Sequence, residues 1–185
     1  PNNANLYYKR AGLKNASASL DDFSIAIELD SENIDYYTDR AQALLVTNQY
    51  NLALVDLLKY LEIKPTGSSW VFRKLGSIYS KNFEDYVEAE KYYNKAIELN
   101  PDDYLGYSSR AYFYEKFLND YDKALKDYNK SVSLDSKNEE QYYFRARFYR
   151  KVLKNYDKAL IDLDKAININ PNYVDAYYEK TFLYF

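Results

Sequence analysis

The 185-residue sequence predicts an all-α protein built as an array of antiparallel helical hairpins. Three observations predict it. A small residue with a large apolar residue four places on recurs five times, led by Ser19, Ala53, Ala89, Ala124 and Ala159, at separations of 34, 36, 35 and 35. A second apolar pattern of helical spacing precedes four of the five. Gly and Pro number only four each, too few for a fold of short strands and turns. A fixed period of this length is the signature of a repeat architecture, in which one unit cannot bury its own apolar face.

The trailing helices follow from the small–large–small spacing. They carry Ser19, Phe23 and Ala26; Ala53, Leu57 and Tyr60; Ala89, Tyr93 and Ala96; Ala124, Tyr128 and Ser131; and Ala159, Leu163 and Ala166. Steps of four and three place each trio on one helical face. Each helix stops at an Asp, Asn or Lys followed by Pro or Ser: Asp30-Ser31, Lys64-Pro65, Asn100-Pro101, Asp135-Ser136 and Asn170-Pro171. The leading helices set a small residue between two large ones: Tyr37, Ala41, Leu44; Phe72, Gly76, Tyr79; Tyr107, Ala111, Tyr114; Tyr142, Ala146, Tyr149. Small residues let helix axes approach while large ones fill the grooves beside them. The repeats are then about 4–33, 34–67, 68–102, 103–137 and 138–172, in a single array over 1–185 with a sixth leading helix at 173–185.

Three irregularities stand out. The later units hold one extra residue, placed by the pattern in the turn inside the hairpin (Phe117 to Asp120, Val152 to Asn155). Tyr60 stands where other units have Ala or Ser, a misfit of about 1–3 kcal/mol if nothing moved, so local re-spacing is expected there, with Gly76 as the relieving residue. The first unit has eight residues from Ala11 to Ser19 against 12 from Ala41 to Ala53, so its hairpin is truncated or lacks about four residues near Lys14–Ala18.

Composition removes several function classes. There is no Cys and no His, hence no disulfide framework, no thiolate metal site and no imidazole base or ligand. A net charge of −3 and a pI near 5.2 argue against a nucleic-acid binder. No apolar run approaches the roughly 20 residues of a membrane span. The acidic pairs Asp21-Asp22, Asp102-Asp103 and Glu139-Glu140 read as helix starts or solvent faces. With no Gly-rich phosphate loop or nucleophile elbow, neither enzyme activity, nor a cofactor, nor a metal is expected. The chain opens Pro1-Asn2-Asn3 without an initiator Met, which reads as a fragment or processed form.

The repeat resembles the tetratricopeptide repeat, whose 34-residue pattern ends in Ala-x3-Phe…Pro. Residues 69–101 (Leu75-Gly76, Tyr79, Ala89, Tyr93, Ala96, Pro101) and 104–171 match it best, and the resemblance covers nearly the whole chain. It implies a right-handed superhelical solenoid that holds a peptide or partner helix in a concave groove lined by the leading helices. Carried over by alignment, one groove row reads Thr38, Arg73, Ser108, Tyr143, Tyr178. A second reads Gln42, Ser77, Tyr112, Arg147, Phe182, and a third Leu45, Ser80, Glu115, Arg150, Phe185. The candidate binding residues are therefore Arg73, Tyr112, Tyr143, Arg147, Arg150 and Tyr178, an aromatic–arginine patch suited to an acidic peptide. The competing reading is an ordinary helix face whose arginines pair with neighbouring acids. The recurring Tyr50, Tyr86, Tyr121 and Tyr156, and Tyr79, Tyr114 and Tyr149, follow the repeat and read as framework. Thr38, Asp39, Gln42, Leu105 and Ser109 lack the Lys/Asn set with which one subclass clamps chaperone C-termini. Two alternatives stay open. One is self-association through the apolar C-terminal helix ending Phe182-Leu-Tyr-Phe185. The other, minor, is an RNA-binding helical repeat of the pentatricopeptide kind, which shares the 35-residue period.

Overall fold

A computed structural model describes residues 3–183. It falls into two compact units, one ending at Glu84 and the other beginning at Asp85. The described residues form helices and turns without a strand, so the all-α hairpin class read from the sequence is the class found. The first unit holds α1 (Ala4–Ala11), α2 (Ala16–Leu29), α3 (Ile34–Val46), α4 (Tyr50–Ile63) and α5 (Ser69–Ile78). The second holds α6 (Tyr86–Leu99), α7 (Tyr104–Phe113), α8 (Tyr121–Leu134), α9 (Glu139–Lys151), α10 (Tyr156–Ile169) and α11 (Val174–Thr181). Asn3, Asn15, Asn33, Ser68, Asp85, Asp103, Asp120, Asn138 and Asn155 each cap a helix, the side-chain oxygen accepting from a first-turn backbone N–H.

The alanines of the repeat lie at the helix crossings with no solvent exposure: Ala26, Ala41 and Ala53 in the first unit, Ala89, Ala96, Ala111, Ala124, Ala146, Ala159 and Ala166 in the second. Around them the second unit stacks aromatics. Phe113 and Phe148 are fully buried two residues past the small residue of α7 and α9. Tyr93 and Tyr128 of the adjoining trailing helices meet them, each pair at 5.3 Å between ring centroids. Tyr114 and Tyr149 are buried, as framework residues would be, whereas Tyr121 and Tyr156 at the hairpin turns keep an exposed edge.

In the fourth repeat the extra residue sits inside the leading helix, a correction to its placement in the turn, and the third repeat behaves alike; in the fifth, Val152–Asn155 follow the end of α9 and form the turn, as expected. Tyr79–Phe83 and Tyr114–Leu118 continue α5 and α7 as single π-helical turns. Widening the last turn absorbs one residue without breaking the helix. It also rotates the side chains of that turn, and Ser80 and Glu115 of the third predicted groove row are buried as a result. Phe185 of that row lies outside the described residues. Leading helices then leave through a left-handed residue, Asn48, Glu84, Asn119 or Lys154, two places before Tyr50, Tyr86, Tyr121 and Tyr156.

The connection that follows Tyr60 is lengthened. Tyr60 is buried, and five residues (64–68) join α4 to α5 where four join α2 to α3, α6 to α7 and α8 to α9. Gly67 there has φ +69°, and a Cβ on it would lie 2.4 Å from the Phe72 ring, so only glycine fits. The first hairpin is closed as it stands. α1 stops at Ala11, Lys14 N–H donates to the Ala11 carbonyl at 3.0 Å, and Asn15 caps α2.

One device repeats through both units. The residue before the small residue of the leading helix is Arg40, Arg110 or Arg145, and each grips the carboxylate three places past the small residue of the trailing helix. Arg40 donates Nε and Nη2 to Asp56, Arg110 to Asp127 and Arg145 to Asp162, at 2.6–3.0 Å. The remaining nitrogen, Nη1, donates back to the preceding trailing helix: to Ser24 Oγ, Asn94 Oδ1 and Asn129 Oδ1 respectively. Arg10 makes the same fork on Asp22 across the shortened hairpin, and Lys14 joins it. Asp22 is therefore buried and paired rather than on a solvent face, and the Arg10 hydrogen bond, then Lys14, hold its carboxyl far below the usual range. The third repeat substitutes this whole set. Leu58, Leu75 and Tyr92 occupy the positions of Asn, Arg and Asp.

Candidate functional site

The predicted binding residues divide between the units. Arg73 lies on α5 in the first, beside Lys74, whose ammonium stands 5.5 Å from the Trp70 ring centroid. The other five lie in the second unit, and α9 carries its centre. Tyr143, Arg147 and Arg150 share one face by their steps of four and three. The Arg147 guanidinium lies over the Tyr143 ring at 5.6 Å, and its Nε is buried without a hydrogen-bond acceptor. Tyr143 meets Tyr173 edge-on at 5.4 Å, and burial pushes its hydroxyl up against the opposing pull of Arg147.

Arg150 is not available to a ligand in the same way. Its Nε and Nη2 both reach Glu179 Oε1 at 2.7 Å, with only 18% and 5% of the two side chains exposed, and its guanidinium covers the Phe182 ring at 4.9 Å. The pairing with a neighbouring acid weighed from the sequence is thus what Arg150 does. Tyr178, 64% exposed, stands edge-on to Phe182 at 5.1 Å on α11, and Tyr112, 39% exposed, contacts Phe117.

Residues outside the predicted set complete the surroundings. Glu115, turned inward by the π-helical turn, accepts from the Tyr128 hydroxyl at 2.7 Å and pairs with Lys116 at 2.6 Å. Burial, with the Glu115 charge behind it, drives the Tyr128 hydroxyl strongly up, while Arg147 opposes. Lys151 is held below the ordinary lysine value by burial first and then by the positive field of Arg147, Arg150 and Lys116, against Glu179. Lys116, Arg147, Arg150 and Lys151 make four cations around two carboxylates, Glu115 and Glu179. Lys151 was legible as a neighbour of Arg150. Glu179 was not, since it lies 29 residues on, across an intervening helix.

Among the described residues no group of three His, Cys, Asp or Glu could hold a metal ion, and no helix is long and apolar enough to cross a membrane.

Comparison with known proteins places these helices. Two family models, both described as tetratricopeptide repeat, match residues 92–126 for one and 74–103 and 141–173 for the other. Human tetratricopeptide repeat protein 13 is 31% identical over 96 residues, 50% of this chain and 11% of that protein. The STIP1 homolog of Dictyostelium discoideum is 34% identical over 88 residues, 48% of this chain and 15% of that protein. The chain thus spans a small fraction of these relatives. Among solved structures, YrrB, described as a TPR protein with an unusual peptide-binding site, is 26% identical with a TM-score of 0.64, covering 97% of this chain and 93% of its own. Hairpin geometry, repeat matches and relatives agree: the chain is a tetratricopeptide repeat protein.

Proposed function

We propose that the chain is a protein-interaction scaffold whose second unit holds an acidic peptide against Tyr143, Arg147 and Lys151, with Tyr112 and Tyr178 as exposed aromatic contacts. The fold supports a protein–protein interaction scaffold in general. One observation carries the finer reading: the Arg147 Nε is buried without an acceptor inside a patch of four cations and two carboxylates. A buried donor without a partner costs about 1–3 kcal/mol, which a ligand carboxylate would recover. The peptide-binding site named for the similar YrrB favours a peptide as the ligand class.

The test is fluorescence anisotropy of a labelled Glu/Asp-rich peptide with the Arg147→Ala/Lys151→Ala variant. Arg150 is left in place because its removal would strand Glu179. Affinity should fall about tenfold or more. Unchanged affinity would remove this face from consideration.

A second reading, self-association through α11, is favoured by the exposed Val174, Tyr177, Tyr178 and Phe182 on and beside that helix. Light scattering at rising concentration separates the two: a monomer throughout counts against it.

A further inference from the structure

The second unit carries another lined groove, formed by α6, α7 and α8, that takes no part in the site on α9. It is an open groove of about 570 Å³ between Ile97 of α6, Tyr107 and Arg110 of α7, and Lys126, Asp127, Asn129, Lys130 and Ser133 of α8. Its apolar floor is the Tyr107 ring and Ile97. Gly106 lets Ile97 seat against α7, since a Cβ there would meet Ile97 Cγ1 at 3.0 Å. Its wall is cationic. Arg110 and Asp127 cancel within their own fork, which leaves Lys126 and Lys130. Neither lysine pairs with a carboxylate among the described residues, and Lys130 Nζ stands 5.9 Å from the Tyr107 ring centroid. The two are four residues apart on one exposed face of α8, roughly 6 Å between Cβ atoms.

From this we infer a second binding surface, for an acidic peptide segment of a partner protein that alternates carboxylates with apolar side chains. Charge complementarity sets the sign: the groove is a local excess of two cations on a chain of net charge −3. Geometry favours a chain over a free anion. Two lysines side by side along a helix do not converge on one point, as a phosphate site of clustered N–H donors does. They match charges spaced along a strand, with Tyr107 and Ile97 taking the apolar residues between them. The Asn129 carbonyl is already committed to Arg145, which leaves its amide NH2 for a peptide carbonyl.

The experiment uses the full chain in the Arg147→Ala/Lys151→Ala background, so that the site on α9 does not contribute and the two proposals fail separately. The probe is a short fluorescein-labelled peptide of alternating Glu and Phe, followed by anisotropy. Binding should persist in that background, weaken with added salt, and fall about tenfold when Lys126→Glu and Lys130→Glu are added. Circular dichroism confirms that the exposed substitutions leave the helices intact. No binding in the background, equal binding after charge reversal, or displacement by inorganic tripolyphosphate as effective as by unlabelled peptide would each overturn the assignment.

Discussion

Removing Asp162 is the sharpest perturbation of the repeated arginine fork. In Asp162→Ala the Arg145 guanidinium loses two charge-assisted hydrogen bonds, of 2.7 and 2.8 Å, and keeps only the Asn129 carbonyl. The Arg145 side chain is 18% exposed and Asp162 5%, so water restores little of what is lost. Breaking a buried pair on one side costs about 3–5 kcal/mol, and partial exposure of the guanidinium places this case near 3. The third repeat supplies the control, because it does without the fork altogether. Asn129→Leu, Arg145→Leu and Asp162→Tyr together install the Leu58, Leu75 and Tyr92 set, which leaves no buried charge. Replacing a buried ion pair by packed apolar groups is often neutral, so the triple variant should recover at least about 2 kcal/mol relative to Asp162→Ala. Urea unfolding followed by circular dichroism gives both numbers. A single-variant loss below about 1 kcal/mol, or a triple variant no more stable than the single, would refute the reasoning.

Other expectations come from burial and backbone. Phe148→Ala empties a fully buried aromatic position against Tyr128 and should cost about 3–5 kcal/mol in the same urea experiment. Gly67→Ala forces a side chain onto a left-handed residue and into the Phe72 ring, and should lower stability by about 1–3 kcal/mol, read as a drop in Tm. The Tyr8 hydroxyl donates to Asp39 at 2.7 Å, and that bond, then burial, raises it to about 12. A raised pKa favours the neutral hydroxyl, so its stabilisation is whole below the ordinary value of 10.0 and disappears as pH climbs through about 12. The stability gap between the parent chain and Tyr8→Phe should close over that window, and a gap that stays constant would contradict it.

Much of the helical layout was legible because the apolar spacing of a buried stripe is a direct record of the helix period. The alanines at the crossings and the large residues Leu57, Tyr93, Tyr128 and Leu163 needed only that spacing. The arginine fork was equally periodic, with Arg before the small residue and Asp three past the next one. An acidic residue on a helix reads as a surface residue until burial is known, and Asp22 was misread for that reason. The π-helical turns had no signal beyond an extra residue, since neither Gly nor Pro marks where a helix widens. Glu115 and Ser80 were assigned to the wrong face for the same cause. Tyr143 and Arg147 are adjacent as their spacing implied, while the capture of Arg150 by Glu179 depends on two helices meeting across a third.

The fork also bears on how such an array changes length. Each one in the second unit is shared by three consecutive helices, as with Asn94 on α6, Arg110 on α7 and Asp127 on α8, then Asn129 on α8, Arg145 on α9 and Asp162 on α10. No hairpin owns a complete set. Excising or duplicating one period within the second unit still leaves an Asn ahead of each Arg and an Asp behind it, so gene segments of that length can be gained or lost there with the polar seam intact, whereas excising the third repeat would set Leu58 ahead of Arg110. A splice out of phase strands a guanidinium in the interior. Selection against that error would keep duplication boundaries in step, whatever the exposed faces go on to recognise.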